Sequence, residues 1–422
     1  MSRPNVAVWL AIALLCGNAE IGGAAPRALR FGKLVDGSGK VITDAVVVID
    51  GDRIVSVGSG ASAVPRGVQV TDLGRLTAVP GLIDAHTHMT FYWDQKPGTT
   101  PYNQPKLLPA EIVFLAQENL RKTLETGVTT VRDLNASDNM DIALRNLINR
   151  GAMVGPRMFV ASYGLGTKPG YVSAAGRIDG PAEMMRAARD VLANGADWVK
   201  LFASTGGTSN LTGNQVFTLE EMKAAVEVAH NFGKKIAVHS YGPGAGRDAV
   251  LAGTDTLEHA IDLDDATLAE MARRGTYYVP TIDHNRYYAD NVQTFGFGTP
   301  DRFIAFGKAN LETTRRALRA GVRVAMGSDA VYTMFGQNTR ELAALVQAGM
   351  TPTQALAAAT TTGAALLGME KTLGAIAPGY YADITAVEGD PLTDVNAIID
   401  HVRWVMKGGA VVVDKTKPKG TE

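Results

Sequence analysis

The sequence has little of what defines several other classes of protein. Its 422 residues include one cysteine, Cys16, so no disulfide can form within the chain. Lys and Arg number 41 against 42 Asp and Glu, a formal net charge of -1, which argues against a nucleic-acid-binding protein. No run of about 20 apolar residues occurs, so the sequence predicts no membrane-spanning helix. With 46% hydrophobic residues, the chain is long enough for a large domain with a sizeable core and a smaller partner domain.

The N-terminus differs from the rest of the chain. Arg3 precedes an uninterrupted apolar run over residues 6–15, and small residues follow it. This order is typical of a secretory signal peptide, so we predict a signal peptide over residues 1–25 and a periplasmic or secreted mature protein. A buried N-terminal helix is the alternative, and the bulky Leu15 disfavours a lipid anchor at Cys16. Cleavage would remove the single cysteine, which suits an oxidising compartment.

Short β patterns occur at both ends of the remaining chain. Residues 45–49 and 53–57 are apolar segments separated by a Gly-Asp turn, and residues 383–387 and 402–406 show the same pattern near the C-terminus. We therefore predict that residues 26–80 and 368–422 form one small, discontinuous β-sandwich domain. The middle of the chain would be inserted into it.

The middle of the chain, residues 81–367, alternates strand and helix signals, which predicts a parallel sheet with helical crossovers. Amphipathic segments include residues 181–194, 219–232 and 264–274. Eight apolar strand candidates occur, the first ending near His86 and His88 and the others covering residues 128–133, 158–162, 198–203, 235–239, 256–259, 277–281 and 322–329. Eight β/α units favour an α/β fold with a closed (β/α)8 TIM-like barrel over an open doubly wound sheet.

Residues that can bind metal lie at the carboxyl ends of these strands, which form the catalytic face of such a barrel. His86 and His88 stand two apart, so both imidazoles project from the same side of a strand and can bind one ion. Four further residues end or follow later strands: Lys200, His239, His259 and Asp329. Each alone has an ordinary structural interpretation, such as a strand-end salt bridge or a helix N-cap. Their joint occurrence in this order indicates a metal centre.

The segment 81–88, Gly-Leu-Ile-Asp-Ala-His-Thr-His, closely resembles the signature of the metal-dependent amidohydrolase superfamily. The resemblance covers nearly the whole mature chain, including the closing segment 379–384. Residues 199–200 (Val-Lys) and 238–241 (Val-His-Ser-Tyr) are similar to one branch of it. That branch contains Xaa-Pro and Xaa-Lys/Arg carboxypeptidase-type dipeptidases, imidazolonepropionase-like proteins and ochratoxin-hydrolysing amidohydrolases.

The resemblance implies a binuclear metal centre. His86, His88 and Asp329 would bind the more buried ion, and His239 and His259 the more exposed one. Zinc is the leading candidate because it suits mixed imidazole and carboxylate ligands, with Mn2+ and Co2+ left open. A water bridging the two cations would lose its proton near neutral pH and become the nucleophile.

Three residues receive chemical roles from the same resemblance. Lys200 would bridge both ions as an N6-carboxylysine formed with CO2, because an unmodified ammonium has no lone pair. Asp329 would carry the proton from the nucleophile to the leaving amine. Tyr241 would donate a hydrogen bond to the developing oxyanion, with packing at the barrel rim as the alternative.

Several residues are candidates for contacts with the substrate. A substrate α-carboxylate needs an Arg or Lys, and the candidates are Arg132, Lys168 and Arg286. Many relatives carry a His near Tyr163, so this chain departs from their carboxylate-recognition pattern at that point. We take Tyr163 as a candidate contact, together with His284 on an expected loop after the seventh strand.

The predicted function is hydrolysis of an amide bond in a dipeptide or N-acyl amino acid, and an aromatic amide such as ochratoxin fits that type. A cyclic amide hydrolase or lactonase with the same metal centre is the alternative. A non-catalytic barrel is disfavoured, because all six metal-site residues are present. The resemblance also implies a homo-oligomer, often an octamer. Several aromatic residues follow strands one and seven and suit either an apolar substrate pocket or a subunit interface: Phe91, Tyr92, Trp93, Tyr287 and Tyr288.

Overall fold

The computed structural model describes residues 25–167, 177–206, 211 and 213–416. The predicted signal peptide therefore lies outside the described residues except for Ala25. The strands are β1 (Arg27–Val35), β2 (Val41–Asp50), β3 (Arg53–Ser59), β4 (Gln69–Pro80), β5 (Leu82–Thr87), β6 (Val128–Asp133), β7 (Arg157–Val160), β8 (Trp198–Phe202), β9 (Lys235–His239), β10 (Thr256–Glu258), β11 (Tyr277–Val279), β12 (Ile384–Val387), β13 (Val402–Lys407) and β14 (Ala410–Asp414).

The helices alternate with the strands through the middle of the chain. They are α1 (Pro109–Leu115), α2 (Gln117–Glu125), α3 (Met140–Asn149), α4 (Gly180–Ala193), α5 (Leu219–Asn231), α6 (Pro243–Ala252), α7 (Asp265–Arg274), α8 (Ile282–Phe295), α9 (Pro300–Arg319), α10 (Glu341–Gln347), α11 (Pro352–Ala358), α12 (Thr361–Leu367) and α13 (Asn396–Asp400). The amphipathic segments predicted to be helical are thereby confirmed as α4, α5 and α7. Within the described ranges, no helix combines the length and the apolar character needed to span a membrane.

Seven strands from both ends of the chain form one mixed sheet in the order β14-β13-β12-β4-β1-β2-β3. β4 connects the two ends, because it pairs parallel with β1 and antiparallel with β12. Alternate residues of β1 such as Leu29 and Phe31 face a core that Trp404 completes, and the Phe31 and Trp404 rings meet edge to face at 6.3 Å. The predicted β domain built from both chain ends is confirmed, and its strands form a single continuous sheet.

The barrel consists of two parallel sheets, β5-β6-β7 and β8-β9-β10-β11, joined by backbone hydrogen bonds. Leu165 N donates to Lys200 O at 2.7 Å and connects the end of the first sheet to the second. Residues 322–328 supply the eighth strand, since Ala325 N donates to Tyr278 O at 3.0 Å and Ala85 N donates to Met326 O at 2.9 Å. The predicted eight-stranded barrel is therefore confirmed.

Helix α5 shows how local sequence fixes the surrounding helices. Thr218 caps its start, because the Thr218 hydroxyl accepts from Glu221 N at 3.3 Å and Thr218 N donates to the Glu221 carboxylate at 2.7 Å. Met222, Ala225 and Ala229 are buried and follow each other at three- and four-residue spacing, so they face the barrel strands. Such packing holds each strand end, and the side chains on it, in a fixed position.

Candidate metal centre

Four histidines and an aspartate meet at the carboxyl ends of the barrel strands. His86 lies on β5 and His88 directly follows it, His239 ends β9, His259 follows β10, and Asp329 follows the eighth strand; all are buried. The His86 and His259 ring centroids lie 4.7 Å apart, those of His239 and His259 4.8 Å apart, and those of His86 and His88 5.3 Å apart. The structure thus brings together five of the six predicted ligands from four strand ends.

Asp329 lies at the centre of this group. Its Oδ1 is 3.0 Å from His88 Nε2 and 3.5 Å from His86 Nε2, and its Oδ2 is 3.9 Å from His259 Nδ1. Burial favours the neutral acid, but the adjacent imidazoles outweigh it and hold the pKa of Asp329 well below its usual value. A carboxylate therefore stands among several nitrogen donors, as a cation site requires.

The nitrogen atoms of this group have the chemistry of metal ligands. One ligand atom each of His86, His259 and Asp329 lies within 4.8 Å of the others. His86 Nε2 and His88 Nδ1 are buried and make no hydrogen bond to any described residue, which is unusual for buried polar atoms. Burial lowers the pKa of His86 to about 4 and that of His259 well below its usual value, so both keep a lone pair for a cation at neutral pH. The residues fit a divalent metal.

Lys200, the sixth predicted ligand, ends near this group on β8. Its side chain is buried, and its Nζ lies 5.2 Å from the centre of the Phe202 ring. No carboxylate of the described residues lies within ion-pair distance of this Nζ. Burial lowers the pKa of Lys200 to about 8, which increases the fraction of unprotonated amine.

A buried charge network holds His86 in place through its Nδ1 atom. Glu258 Oε2 lies 2.7 Å from His86 Nδ1, and Arg132 Nη2 donates to Glu258 Oε1 at 3.0 Å. Arg132 also donates to Ala85 O at 2.6 Å and to Thr256 Oγ1 at 3.0 Å. A carboxylate on one imidazole nitrogen sets the tautomer and the direction of the other nitrogen, so Glu258 aims His86 Nε2 at Asp329.

The same network corrects one prediction. Arg132 was a candidate for the substrate carboxylate, but its side chain is fully buried inside the barrel and its donors are used by Ala85, Thr256 and Glu258. Glu258 was missed. The available signal was a pair of opposite charges, Arg132 and Glu258, inside two predicted barrel strands, where buried charges need partners.

The backbone at the strand ends is strained. His259, Thr281 and Asp329 have φ angles of 67°, 53° and 54°, in the left-handed region that costs about 1–3 kcal/mol for such residues. Close packing holds Asp329 there: a Cβ on Gly327 would lie 2.4 Å from Val279 Cγ1 and 2.9 Å from His86 Cβ. Only glycine allows this approach of the eighth strand to β5.

Asp84 connects β5 to the residues before Asp329. It accepts hydrogen bonds from Ser328 N at 2.9 Å, from Asn338 Nδ2 at 2.9 Å and from His86 N at 3.2 Å. Burial raises the pKa of Asp84 to about 6, although these bonds favour its carboxylate. Asp84 thereby ties the strand of His86 to the turn that carries Asp329.

Tyr241 lies beside the two histidines of the predicted exposed ion. Its ring stacks on His239 at 4.7 Å and meets His259 edge to face at 5.6 Å. Tyr241 N donates to Ser204 Oγ at 2.9 Å, and the ring packs on Phe306 at 4.6 Å. The side chain is therefore held rigidly at the centre.

His284 is also brought to the centre, but from a helix rather than the expected loop. It lies in the first turn of α8, and its Nε2 is 3.3 Å from Asp329 Oδ2. The start of α8 is fixed by Glu341, which accepts from Ile282 N at 2.9 Å and from Asp283 N at 2.8 Å. The loop prediction was wrong because apolar and aromatic residues of α8 bury one face and extend the helix to Phe295.

Two of the other predicted substrate contacts, Arg286 and Tyr163, interact with other groups in the structure. Arg286 pairs with Asp283 at 2.7 Å and Asp290 at 2.5 Å, so two carboxylates already occupy its guanidinium. Burial raises the pKa of Tyr163, and the charges that act on its hydroxyl come from α4, on the outside of the barrel. Lys168 lies outside the described residues.

Comparisons with known proteins agree with this geometry. The model of the family described as "Amidohydrolase family" matches residues 77–412. The ochratoxinase of Aspergillus niger is 29% identical over 418 residues, which cover 90% of this chain and 85% of the relative. An imidazolonepropionase of Streptomyces avermitilis is 25% identical over 442 residues, covering 96% and 94%. The crystal structure of a Xaa-Pro dipeptidase with bound methionine superposes with a TM-score of 0.84 at 31% identity, covering 92% of this chain and 99% of that one.

Proposed function

The chain belongs to the amidohydrolase family, and from that premise we propose that it cleaves an amide bond in a dipeptide or an N-acyl amino acid. As a member with a buried His, His and Asp cluster, it is a metal-dependent hydrolase. The relatives named as an ochratoxinase and a Xaa-Pro dipeptidase support the finer proposal. The observation that carries it is the convergence of four histidines and Asp329 on one point at the strand ends.

In this proposal, His86, His88 and Asp329 hold one divalent ion, and His239 and His259 hold a second. When bound, two such ions supply Lewis-acid polarisation of the scissile carbonyl and a water that loses its proton near neutral pH. We propose zinc, because imidazole and carboxylate ligands suit it. Glu258 keeps His86 in the tautomer that can bind a cation, through the 2.7 Å contact with its Nδ1.

Lys200 completes the ligand set as an N6-carboxylysine. Its buried Nζ has no described carboxylate within ion-pair distance, and an ammonium would repel cations in this position. The unprotonated amine would add to CO2 and release one proton to solvent, giving a carbamate whose oxygens would serve as metal ligands. Growth with 13C-labelled CO2 should give a carbamate signal in the 13C spectrum of the purified protein, and this signal should be absent in Lys200→Ala.

Asp329 moves the proton. Its Oδ2 faces His284 Nε2 at 3.3 Å, while its Oδ1 faces His88 Nε2 at 3.0 Å. We propose that one carboxylate oxygen accepts the proton of the attacking water and passes it to the leaving nitrogen. His284 orients Asp329 for this transfer as a positioning residue.

Tyr241 stabilises the charge that develops on the carbonyl oxygen. Its ring is fixed between His239, His259 and Phe306, so the hydroxyl needs little reorganisation during the reaction. Loss of one such donor typically lowers kcat about 100- to 1,000-fold. Tyr241→Phe tests this role, because it retains the ring packing.

The test of the proposal is a panel of N-acyl amino acids and dipeptides, with release of the free amino acid as the readout. The zinc-loaded protein should turn over at least one of them, and the chelator-treated protein should not. His239→Ala should lose this activity, whereas the matched change His230→Ala should keep it. His230 lies on α5, where its side chain is exposed and pairs with Asp255. Turnover no higher than that of the metal-free protein would refute the proposal.

Hydrolysis of a cyclic amide is the second candidate, favoured by the similarity to an imidazolonepropionase over 96% of the chain. The same carbonyl polarisation and proton transfer open a ring as well as a linear amide. Adding an imidazolone, a hydantoin and a lactone to the panel separates the two. Turnover of ring substrates alone would favour this second function.

A further inference from the structure

A connected set of aromatic rings leads away from the metal centre on the Asp329 side. Phe91 stacks on His88 with centroids 4.8 Å apart and an interplanar angle of 25°. The Phe91 and Tyr332 rings are 5.7 Å apart, and Tyr332 meets Tyr102 at 6.0 Å. We call Phe91, Tyr332 and Tyr102 the aromatic wall. It begins in direct contact with a predicted metal ligand and ends at Tyr102, which is 54% exposed.

Tyr332 is held in an unfavourable backbone conformation. Its φ angle is 49°, in the left-handed region where a bulky side chain is an outlier. Two backbone hydrogen bonds fix it there, since Tyr332 N donates to Phe91 O at 3.1 Å and His88 N donates to Ala330 O at 3.1 Å. Strain of this kind concentrates at functional sites and persists only where the surroundings enforce it. Here it turns the Tyr332 ring towards Phe91.

The wall rests on buried rings, so its position is rigid. Phe295 lies behind Tyr332 at 6.3 Å, and Tyr287 packs on Phe295 at 5.7 Å. Phe295 and Tyr287 are buried, whereas Phe91 and Tyr332 are only half-buried. The half-buried rings therefore present apolar faces on a preformed support, next to the reacting centre.

The position of Asp329 decides which part of a substrate meets the wall. Asp329 passes its proton to the leaving nitrogen, so that nitrogen lies beside Asp329 in the reaction. Tyr332 follows Asp329 by three residues, and His88, which carries the Phe91 stack, is 3.0 Å from Asp329 Oδ1. Tyr241 lies on the other side, against His239 and His259. The substituent on the leaving nitrogen therefore faces the wall.

We propose that Phe91 and Tyr332 are specificity-determining residues that bind the aromatic side chain of the leaving amino acid. This inference rests on the proposed function and names the substrate class. Aromatic rings pack favourably on such faces in offset or edge-to-face arrangements. The three wall residues carry no charge, so an aspartate side chain would lose water there without gaining a cationic partner from the wall.

The experiment compares kcat/KM for N-acetyl-Phe, N-acetyl-Leu and N-benzoyl-Ala in zinc-loaded protein. The unchanged protein should prefer N-acetyl-Phe over N-acetyl-Leu by about 10-fold or more. Phe91→Leu and Tyr332→Gly should each lower this preference by about 5- to 10-fold, with bound zinc unchanged. Glycine suits the φ of residue 332, so the second variant removes the ring without adding strain.

Two controls separate loss of the wall from general damage. Phe232→Leu makes the same change on a ring that is 61% exposed at the end of α5, and it should leave the preference unchanged. Tyr332→Phe keeps the ring and should also keep the preference. An unaltered preference in Phe91→Leu and Tyr332→Gly, or a loss confined to N-benzoyl-Ala, would overturn the inference while the proposed function stands. No turnover of any substrate by the zinc-loaded protein would refute the proposed function itself.

Discussion

Replacing Glu258 with glutamine should weaken both the fold and the metal centre. The change keeps the size of the side chain but removes the negative charge that contacts both His86 and Arg132. These three side chains are fully buried, at 0% exposure, so water cannot replace the lost interaction. The glutamine NH2 would also point a donor at either His86 Nδ1 or the Arg132 guanidinium, where the carboxylate accepts now.

The size of the effect follows from the burial of the pair. Removing one partner of a buried ion pair leaves an uncompensated charge and typically costs about 3–5 kcal/mol. For the metal, loss of the carboxylate behind a ligating histidine typically lowers affinity about 10- to 100-fold, or about 1.4–2.8 kcal/mol. We therefore expect the unfolding free energy of the metal-free Glu258→Gln protein to fall by about 3–5 kcal/mol.

Two measurements on the same samples check this expectation. Chemical denaturation of the metal-free protein gives the unfolding free energy, and competition with a chromogenic chelator gives the zinc affinity. Glu312→Gln is the matched control, because Glu312 is exposed on α9 and its change should stay within about 0.5 kcal/mol. Arg132→Met combined with Glu258→Gln should recover part of the stability, since both buried charges are then gone. If Glu258→Gln were no worse than Glu312→Gln in both assays, the assigned role of Glu258 would be wrong.

Three further predictions address the centre itself. Asp329→Asn should lower turnover by about 100-fold or more while the amount of bound zinc falls less. The reason is that an amide oxygen can still bind a cation but cannot carry the proton. An equal loss of turnover and of bound zinc would contradict this role. Lys200→Ala should lose metal and activity together and regain part of both with added acetate or propionate, and full metal content in this variant would remove Lys200 from the site. Burial lowers the pKa of His86 from 6.5 to about 4, so on acidification the unfolded chain binds a proton at this histidine before the folded protein does. The unfolding free energy of the metal-free protein should therefore fall as the pH is lowered from about 6.5 to about 4. The part of this fall that is due to His86 should disappear in His86→Phe.

The barrel and the strand-end positions of the candidate ligands were predictable because both follow from local sequence. Apolar strand segments alternate with amphipathic helices, and His86, His239 and Asp329 stand where such strands end. In a closed barrel all carboxyl strand ends lie on the same face, so candidate ligands at these ends come together whatever the conformations of the loops. The convergence of these residues on one point needed only the correct fold.

The supporting residues were not predictable in the same way, because their partners are distant in sequence. Arg132 and Glu258 meet across the barrel interior, so Arg132 stood as a candidate substrate contact until the structure placed it there. The partners of Arg286, which was also a candidate substrate contact, were missed for a different reason. Once residues 282–295 are known to be helical, Asp283 and Asp290 stand at three- and four-residue spacing from it and are its natural partners.

The central claim is that this barrel works through a metal centre at His86, His88, His239, His259, Asp329 and Lys200. Elemental analysis of the purified protein, paired with amide hydrolysis before chelation, after chelation and after zinc is restored, tests it most directly. The account predicts about two divalent ions per chain, loss of activity with their removal and recovery when they return. Full activity with less than about one ion per chain would contradict it.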